Sequence, residues 1–285
     1  MKLQTIVDSK PSAWKIGYED KILMLGSCFS DEIGNKMKEH NLPVTCNPFG
    51  TLYNPLSIVN ALNMTEVPLL VHHDGLWHSM AHHGSFSRVD KYEAEEVIAE
   101  SIENMQRALE EATVVIVTFG TAWVYELDDE VVGNCHKLPE SNFTRRRLSV
   151  DEIVAAWMPM LRRYPDKHWI FTVSPIRHIK DGLHENQISK AILLQAVDTL
   201  IAEYKLQNTE YRLHPSRISY FPSYEIVLDE LRDYRFYADD LVHPSSLAVN
   251  YVWERFVETF CTPQTQNELT LQYKQWKHAH HIPLH

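Results

Sequence analysis

Five short apolar runs recur along the chain, and helical patterns fill the intervals between them. Each run is rich in valine, isoleucine or aromatic residues and is bounded by residues that favour turns, which is typical of a strand buried on both faces. Continuous apolar strands are characteristic of parallel sheets that are covered by helices. The predicted strands are KILMLG (21–26), PVTCN (43–47), ATVVIVTFG (112–120), HWIFTVSP (168–175) and ISYFPS (218–223).

Apolar residues three and four positions apart predict helices between and after these strands. Ser30 is interpreted as the N-cap of the first helix, and Ser149 begins a capping-box pattern that Glu152 completes. Pro244 suits the first turn of a further helix. The predicted helices cover residues 30–40, 91–111, 150–163, 186–206 and 244–260, with a last helix over about 264–285.

Strands that alternate with helices predict an α/β fold. We expect residues 1–285 to form one three-layer α/β/α sandwich with a mainly parallel sheet of about five strands. Right-handed crossovers place the carboxyl ends of these strands at one edge, where open α/β sheets bind ligands. The segments at about 48–90 and 121–149 interrupt the alternation and are interpreted as long loops or small excursions, which are usually functional at that length.

Charge and composition indicate which partners are unfavourable and in which compartment the protein is expected. The net charge is −11, so a surface that follows a phosphate backbone is not expected, and nucleic acid is an unfavourable partner. The first twenty residues lack the apolar core of a secretory signal, and no stretch approaches the roughly 18 apolar residues of a membrane span. We therefore expect a cytoplasmic protein. The basic run Arg145-Arg146-Arg147 is interpreted as a solvated loop, with contact to an anion as the alternative.

Two short patterns carry candidate chemistry. Gly26-Ser27-Cys28 directly follows the first predicted strand and precedes a helix, whose N-terminus favours a thiolate; either side chain can be a nucleophile if a base is near. Asp240 and His243 lie between the last strand and a late helix. A carboxylate bonded to His Nδ1 leaves Nε2 free to accept a proton from a nucleophile. The other cysteines, at 46, 135 and 261, form no C-x-x-C pair and are expected to be thiols.

Several blocks of sequence together resemble one known family. They are GSCFS, NPFGTLYNP, TFGTAWVY, NCHK, SPIRH, SKAILL and YFPSYEIVLDELRDYRFYADDLVHPS, which run from about residue 21 to 255. The chain resembles the GSCFA family, and the order of its strand, nucleophile turn and late D-x-x-H is similar to the SGNH (GDSL-type) hydrolase superfamily. This resemblance implies an SGNH-like, flavodoxin-like sheet.

The resemblance also implies roles for individual residues. Laid onto the superfamily pattern, LGSCFSD puts the nucleophile at Cys28 and puts Ser27 where an aspartate usually stands, although Ser27 remains an alternative nucleophile. His243 would be the base and Asp240 the residue that orients it. Gly50 falls in the block that supplies a backbone oxyanion donor, and the Cys28 N–H would be another.

The third block departs from the superfamily, because Gly120-Thr121 stands where a glycine and an asparagine are usual. Thr121 and Asn134 are therefore both candidates for the third oxyanion donor. Asn47 and Asn54 remain possible, although asparagine beside proline usually serves a turn.

Other polar residues are candidates for binding the substrate. Arg177 and His178 follow the fourth strand and are predicted either to bind an acid group and shape the pocket or to fix a loop. His83 is a candidate for a substrate loop. His78, His82 and His83 are closely spaced, but no suitable carboxylate accompanies them, so no metal is expected.

The sequence thus favours an acyl hydrolase or acyltransferase that acts on esters or thioesters through Cys28, His243 and Asp240, without a cofactor. A small molecule or carbohydrate O-acyl group is the substrate class that the superfamily implies. The rival hypothesis is a non-catalytic carbohydrate- or acyl-binding protein in which Cys28 is a structural thiol. The oligomeric state is left open.

Overall fold

A computed structural model of the chain describes residues 4–9, 11–207 and 216–280. Its strands, in chain order, are β1 (Ile22–Gly26), β2 (Val44–Cys46), β3 (Leu70–His73), β4 (Leu76–Ser79), β5 (Val114–Phe119), β6 (Trp123–Leu127), β7 (Glu130–Val132), β8 (Thr144–Arg147), β9 (His168–Val173) and β10 (Ile218–Phe221).

Its helices are α1 (Cys28–Glu39), α2 (Pro55–Asn63), α3 (Lys91–Glu111), α4 (Val150–Arg163), α5 (Leu183–Gln207), the short α6 (Ser223–Glu225), α7 (Ser246–Phe260) and α8 (Pro263–Ala279). A π-helical turn, Ile226–Leu231, continues α6. Single 3-10 turns lie at Gly84–Phe86, Glu140–Asn142, Ile179–Asp181 and Tyr234–Phe236.

The five predicted strands form one parallel sheet in the order β2-β1-β5-β9-β10. Alternate residues of its strands face opposite sides: Leu23 and Leu25 of β1 pack with α2 to α5, while Ile22 and Met24 pack with α1, α7 and α8. The α/β/α sandwich that the sequence predicts is therefore confirmed. The chain places β2 on one side of β1 and then continues with β5 on the other side. The strand order therefore reverses between β1 and β5, and doubly wound sheets bind ligands at such a switch point.

The two segments that interrupt the alternation are not irregular loops. Residues 48–90 contain α2 and the antiparallel hairpin β3-β4, and residues 121–149 contain the antiparallel sheet β7-β6-β8. Each is a small excursion from the main sheet. The interpretation of Arg145-Arg146-Arg147 as a loop is wrong, because all three residues lie in β8.

Two helix starts also differ from the prediction. The N-cap of α1 is Ser27 and not Ser30, whose hydroxyl instead donates to the Leu25 carbonyl at 3.1 Å. The N-cap of α7 is Ser245, so Pro244 precedes the helix. The capping box of Ser149 and Glu152 is confirmed. Residues 281–285 of the predicted last helix lie outside the described residues. Among the helices described, none has the length and apolarity to cross a membrane.

Candidate active site

The carboxyl ends of the central strands open into a cavity of about 620 Å³. The turn after β1, the loop after β2 and the loops after β5 and β9 contribute to its wall, together with the loop that follows the α6 region. Of the predicted site residues, the cavity is lined by Cys28, Thr121, Asn134, Arg177, His178 and His243, and also by Asn54. Ser27, Gly50, His83 and Asp240 are not part of this lining, although Asp240 is bonded to His243, which is.

The turn after β1 requires glycine. Gly26 has φ +135°, and a Cβ there would lie 2.2 Å from the Thr118 carbonyl oxygen of β5. The Gly26 N–H donates to Asn47 Oδ1 at 2.8 Å, and the Asn47 amide nitrogen donates to Asp31 at 2.7 Å. Asn47 therefore fixes the turn between β1 and α1 through both its amide oxygen and its amide nitrogen.

Ser27 and Cys28 occupy different environments although they are adjacent. Ser27 is 1% exposed, and its hydroxyl accepts the Phe29 N–H as the cap of α1. Cys28 is the first residue of the helix and is half-buried at the cavity wall. Its N–H belongs to the first turn, which has no intrahelical acceptor, and the helix dipole there favours negative charge.

Asp240 and His243 form a bonded pair. His243 Nδ1 lies 2.6 Å from Asp240 Oδ2, while Asp240 Oδ1 accepts the N–H groups of Val242 and His243 at 2.9 and 3.0 Å. These hydrogen bonds to the carboxylate lower the pKa of Asp240 to about 2. Since Nδ1 is engaged, Nε2 is the ring nitrogen of His243 that remains for proton transfer.

Arg177 holds the loop that carries this pair. Its backbone N–H donates to the Val242 carbonyl at 3.1 Å, and its guanidinium donates to the Leu241 carbonyl at 3.0 Å. The guanidinium also lies 5.4 Å from the ring centre of Tyr237. Arg177 thus has the loop-fixing contacts that the sequence offered as one alternative, and it lines the cavity as well.

His178 is neutral at ordinary pH. Burial, with smaller contributions from the charges of Lys190 and His243, lowers the pKa of its ring to about 3. Lys190 itself is buried, and its ammonium group donates to the Gly120 and Ser174 carbonyls at 2.6 and 2.7 Å. Burial lowers the pKa of Lys190 to about 7. This lysine ties the end of β5 to the end of β9 directly behind the cavity.

The proposed oxyanion donors differ in availability. The Gly50 N–H donates to the Asn47 carbonyl at 2.8 Å, so it is engaged within its own turn. Thr121 is similarly engaged: its N–H donates to the Tyr53 carbonyl, and its hydroxyl contacts Ser189 Oγ and accepts the Trp123 N–H. Asn134 uses only its carbonyl oxygen, which accepts the His136 N–H, and no acceptor for its NH₂ group is found among the described residues. Asn54 caps α2 through Ser57.

The clustered histidines lie away from the cavity. His83 is exposed and caps the turn Gly84–Phe86. His82 is fully buried, and its two ring nitrogens bond the hydroxyls of Ser79 and Ser101 at 2.7 and 3.0 Å. His78 bonds Ser87 Oγ and the His73 carbonyl. Their ring nitrogens therefore serve the local structure of the β3-β4 excursion.

Several cavity residues are not identified by the sequence reasoning. The hydroxyl of Tyr53 lies 3.3 Å from Cys28 Sγ, and Trp123, Tyr125 and Cys135 also line the wall. Tyr53 lies within the block NPFGTLYNP, so its place in the loop after β2 was the available signal. Trp123 and Tyr125 belong to a strand that the sequence did not predict.

The basic run beside the cavity is fully paired. Arg145 binds Asp181, Arg146 binds Glu126 and Glu152, and Arg147 binds Glu185. The Arg145 guanidinium also stacks 4.0 Å from the ring centre of Trp123. The pairs of Arg145 and Arg147 attach the β7-β6-β8 sheet to the segment around residues 181–185, and those of Arg146 join β8 to β6 and to α4.

Comparisons with known proteins relate the chain to one family. A comparison with curated protein sequences finds no match. A solved structure of an acetyl xylan esterase from the rumen bacterium Butyrivibrio proteoclasticus is similar, with 13% identity and a TM-score of 0.40. That alignment covers 89% of this chain and 64% of the esterase chain. The model of the GSCFA family matches residues 21–256. These residues include the turn after β1, the cavity wall and the Asp240–His243 pair, and the chain belongs to the GSCFA family.

Proposed function

We propose that the chain is an acyl-transfer enzyme of SGNH type in which Cys28 is the nucleophile, His243 the base and Asp240 the residue that orients His243. The observation that carries this proposal is that Cys28 and His243 line one cavity while His243 Nδ1 is bonded to Asp240 at 2.6 Å. This supplies a nucleophile from the start of α1, and a base with its orienting group from the loop before α7; such a relation of roles and geometry is how catalytic triads are recognised.

The reaction would proceed in two steps. His243 Nε2 takes the thiol proton of Cys28, and the sulfur attacks the acyl carbon to form an acyl-cysteine as the alcohol or thiol leaves with a proton from His243. In the second step His243 removes a proton from water or from an acceptor hydroxyl, which attacks the acyl-cysteine and releases the Cys28 sulfur. Water as acceptor gives a hydrolase, and a sugar hydroxyl gives an acyltransferase.

The oxyanion of each step would be held by the Cys28 N–H and the NH₂ group of Asn134. Both groups belong to residues of the cavity wall, and neither is committed to another acceptor among the described residues. Gly50 and Thr121 are less suitable donors, because their N–H groups are engaged at 2.8 and 2.9 Å.

A small-molecule or carbohydrate acyl substrate fits the size and lining of the cavity. A volume of about 620 Å³ lies in the usual range for ligand sites, and aromatic residues such as Trp123 and Tyr125 are part of its lining. Arg177 and His178 add polar groups to the same lining as His243, which supports a substrate that has polar as well as apolar surface.

A non-catalytic binding protein is the second candidate. The observation in its favour is that Cys28 Sγ is hydrogen-bonded to Tyr53 and that, among the described residues, no hydrogen bond joins it to His243. Catalytic hydrogen bonds are often long before substrate binds, so the two candidates are separated by activity and thiol reactivity.

The test measures turnover of short-chain p-nitrophenyl esters and acetyl-coenzyme A, and alkylation of the protein by iodoacetamide. We expect Cys28→Ala and His243→Ala each to lower kcat/KM by at least about 100-fold, because each removes a group that acts in the transition state. His243→Ala should also slow alkylation of Cys28 at neutral pH.

Cys135→Ala is the matched control, since Cys135 lines the same cavity without contacting the His243–Asp240 pair. Its turnover should stay within a few-fold of the wild type. If the wild type turns over neither substrate and alkylation of Cys28 is unchanged in His243→Ala, the binding protein is the correct reading.

A further inference from the structure

The Cys28 sulfur has a hydrogen-bonding partner outside the triad. Tyr53 Oη lies 3.3 Å from Cys28 Sγ, and in the described part of the chain no other side chain hydrogen-bonds this sulfur. The distance falls within the range of sulfur hydrogen bonds, in which either the thiol or the hydroxyl can be the donor. The surroundings of Tyr53 decide between the two.

The hydroxyl of Tyr53 already accepts a hydrogen bond. Thr51 Oγ1 donates to Tyr53 Oη at 3.4 Å, so the hydroxyl hydrogen of Tyr53 is available for the sulfur. Burial raises the pKa of Tyr53 to about 12, and the hydrogen bond with Cys28 acts in the same direction. Cysteine thiols as a class ionise near pH 8.5. The proton between the two atoms therefore remains on the tyrosine when the sulfur is a thiolate.

The backbone that carries the phenol is fixed by hydrogen bonds on both sides. The Tyr53 carbonyl accepts the N–H groups of Gly120 and Thr121 at 2.8 and 2.9 Å, and the preceding Leu52 N–H donates to the Gly26 carbonyl at 3.0 Å. Tyr53 is thus bonded to the turn after β5, and its neighbour to the turn after β1. Groups that are fixed before the reaction need no reorganisation when charge develops.

We propose that Tyr53 is a catalytic residue that donates a hydrogen bond to the Cys28 sulfur. It stabilises the thiolate when His243 has taken the thiol proton, and it stabilises the same thiolate when the acyl-cysteine is cleaved. The tyrosine keeps its own proton throughout, and no electrons are exchanged. This inference rests on Cys28 being the nucleophile, but the interaction itself can be measured on the thiol.

The hydrogen bond has two opposing effects on the attack by sulfur. It increases the fraction of thiolate at neutral pH, and it lowers the nucleophilicity of each thiolate. Thiolate nucleophilicity falls with a Brønsted coefficient of roughly 0.4–0.5, so the gain in thiolate exceeds the loss as long as most of the sulfur is protonated. In the cleavage of the acyl-cysteine the hydrogen bond is favourable without such a loss, because the sulfur is then the leaving group.

The test uses Tyr53→Phe, which removes the hydroxyl and keeps the ring and the backbone bonds. The rate of iodoacetamide alkylation of Cys28 is measured against pH, and turnover of p-nitrophenyl acetate is measured in parallel. Hydrogen bonds to charged groups are worth a factor of roughly 10 to 100. We expect the pH midpoint of alkylation to rise by about one or more and the turnover number to fall by about 10-fold or more.

Tyr92→Phe is the control, because Tyr92 is an exposed tyrosine on α3 that does not belong to the cavity lining. Both measurements should match the wild type in this variant. An unchanged alkylation midpoint in Tyr53→Phe, with a native far-ultraviolet spectrum, overturns the proposal. If the midpoint rises in Tyr53→Phe but the wild type itself shows no turnover, the hydrogen bond to the thiolate is supported and the proposed acyl transfer is refuted.

Discussion

At the scale of single residues, one position separates a structural hydroxyl from a candidate nucleophile. Ser27 is the last residue before α1, so its hydroxyl points back to accept a helix N–H and is covered by protein. Cys28 is the first residue within α1, and its side chain reaches the cavity wall. The start of the helix, rather than the chemistry of the two side chains, therefore decides which of them meets a substrate.

This assignment predicts different effects of alanine at the two positions. Ser27→Ala should lower the free energy of unfolding by about 1 kcal/mol, the usual cost of losing an N-cap, and should retain most of the esterase activity. Urea unfolding and initial rates on p-nitrophenyl acetate are the measurements. Loss of activity in Ser27→Ala with unchanged stability would instead make Ser27 the nucleophile.

At the scale of elements, the edge of the sheet is held together by a buried cation. Lys190 of α5 donates to the Gly120 and Ser174 carbonyls, where β5 and β9 give way to the cavity loops. A neutral amine retains two N–H donors, so both bonds survive when Lys190 loses a proton. Deprotonation thus removes the cost of burying a charge without breaking the connection.

This arrangement predicts that stability rises with pH. The native pKa of Lys190, about 7, lies below its ordinary value of 10.5, so between these pH values the unfolded chain binds more protons than the native one. From pH 7 to pH 9 this group should add about 2 kcal/mol to the free energy of unfolding. Urea unfolding of the wild type and of Lys190→Met at both pH values checks it. Parallel pH dependence in the two proteins would show that Lys190 does not titrate in this range.

The elements also show how far a sequence can be interpreted. All five strands of the main sheet were predictable as short runs bounded by turn residues; β1, β5 and β9 are buried on both faces, whereas the outer strands β2 and β10 are only partly buried. Strand β8 was not predictable, because its sequence TRRR has no apolar residue and its stability comes from cross-strand pairing and ion pairs. The start of α1 was placed at Ser30 because two serines three residues apart both suit a cap, and local pattern does not choose between them.

Cavity residues that directly follow a strand could be predicted from the sequence. Contacts between loops that are distant in sequence could not. Cys28, Arg177, His178 and His243 could be placed at the cavity from their order along the chain. The contact between Tyr53 and Cys28 depends on how the loop after β2 folds over the turn after β1, which no local pattern specifies. Gly50 was chosen by resemblance alone, and the hydrogen bond of its N–H within its own turn was not visible in the sequence.

At the scale of the whole molecule, buried neutral imidazoles are distributed over several regions of the structure. Burial lowers the pKa of His82 and of His178 to about 3 and that of His168 to about 4. These side chains lie in the β3-β4 excursion, at the cavity and at the start of β9. Because the unfolded chain takes up protons on all of them near pH 6.5, mild acid favours unfolding at several places at once.

His82 offers the clearest test of this acid sensitivity. Its native pKa lies below the unfolded value, so its stabilising contribution is complete above about pH 6.5 and is lost as pH falls towards about 3. Between pH 6.5 and pH 5 the loss should be about 2 kcal/mol. Urea unfolding of His82→Gln should show a correspondingly weaker pH dependence than the wild type.

His280→Gln is the control for that comparison, since His280 is an exposed residue at the end of α8. Its unfolding should follow the pH dependence of the wild type. Equal slopes for His82→Gln and the wild type would mean that folding does not lower the pKa of His82.

The β7-β6-β8 sheet has a consequence for how this protein can change over evolutionary time. Its residues Trp123, Tyr125 and Arg145 form one side of the cavity, whereas Cys28, Tyr53 and His243 come from the turn after β1, the loop after β2 and the loop before α7. Val124 and Val132 of this sheet are buried, Val124 within the main core, and ion pairs of Arg145 and Arg147 add surface attachments to the segment around residues 181–185. Substitutions on the cavity side of this excursion can therefore reshape the ligand preference of the cavity while Cys28, Tyr53 and His243 are inherited unchanged.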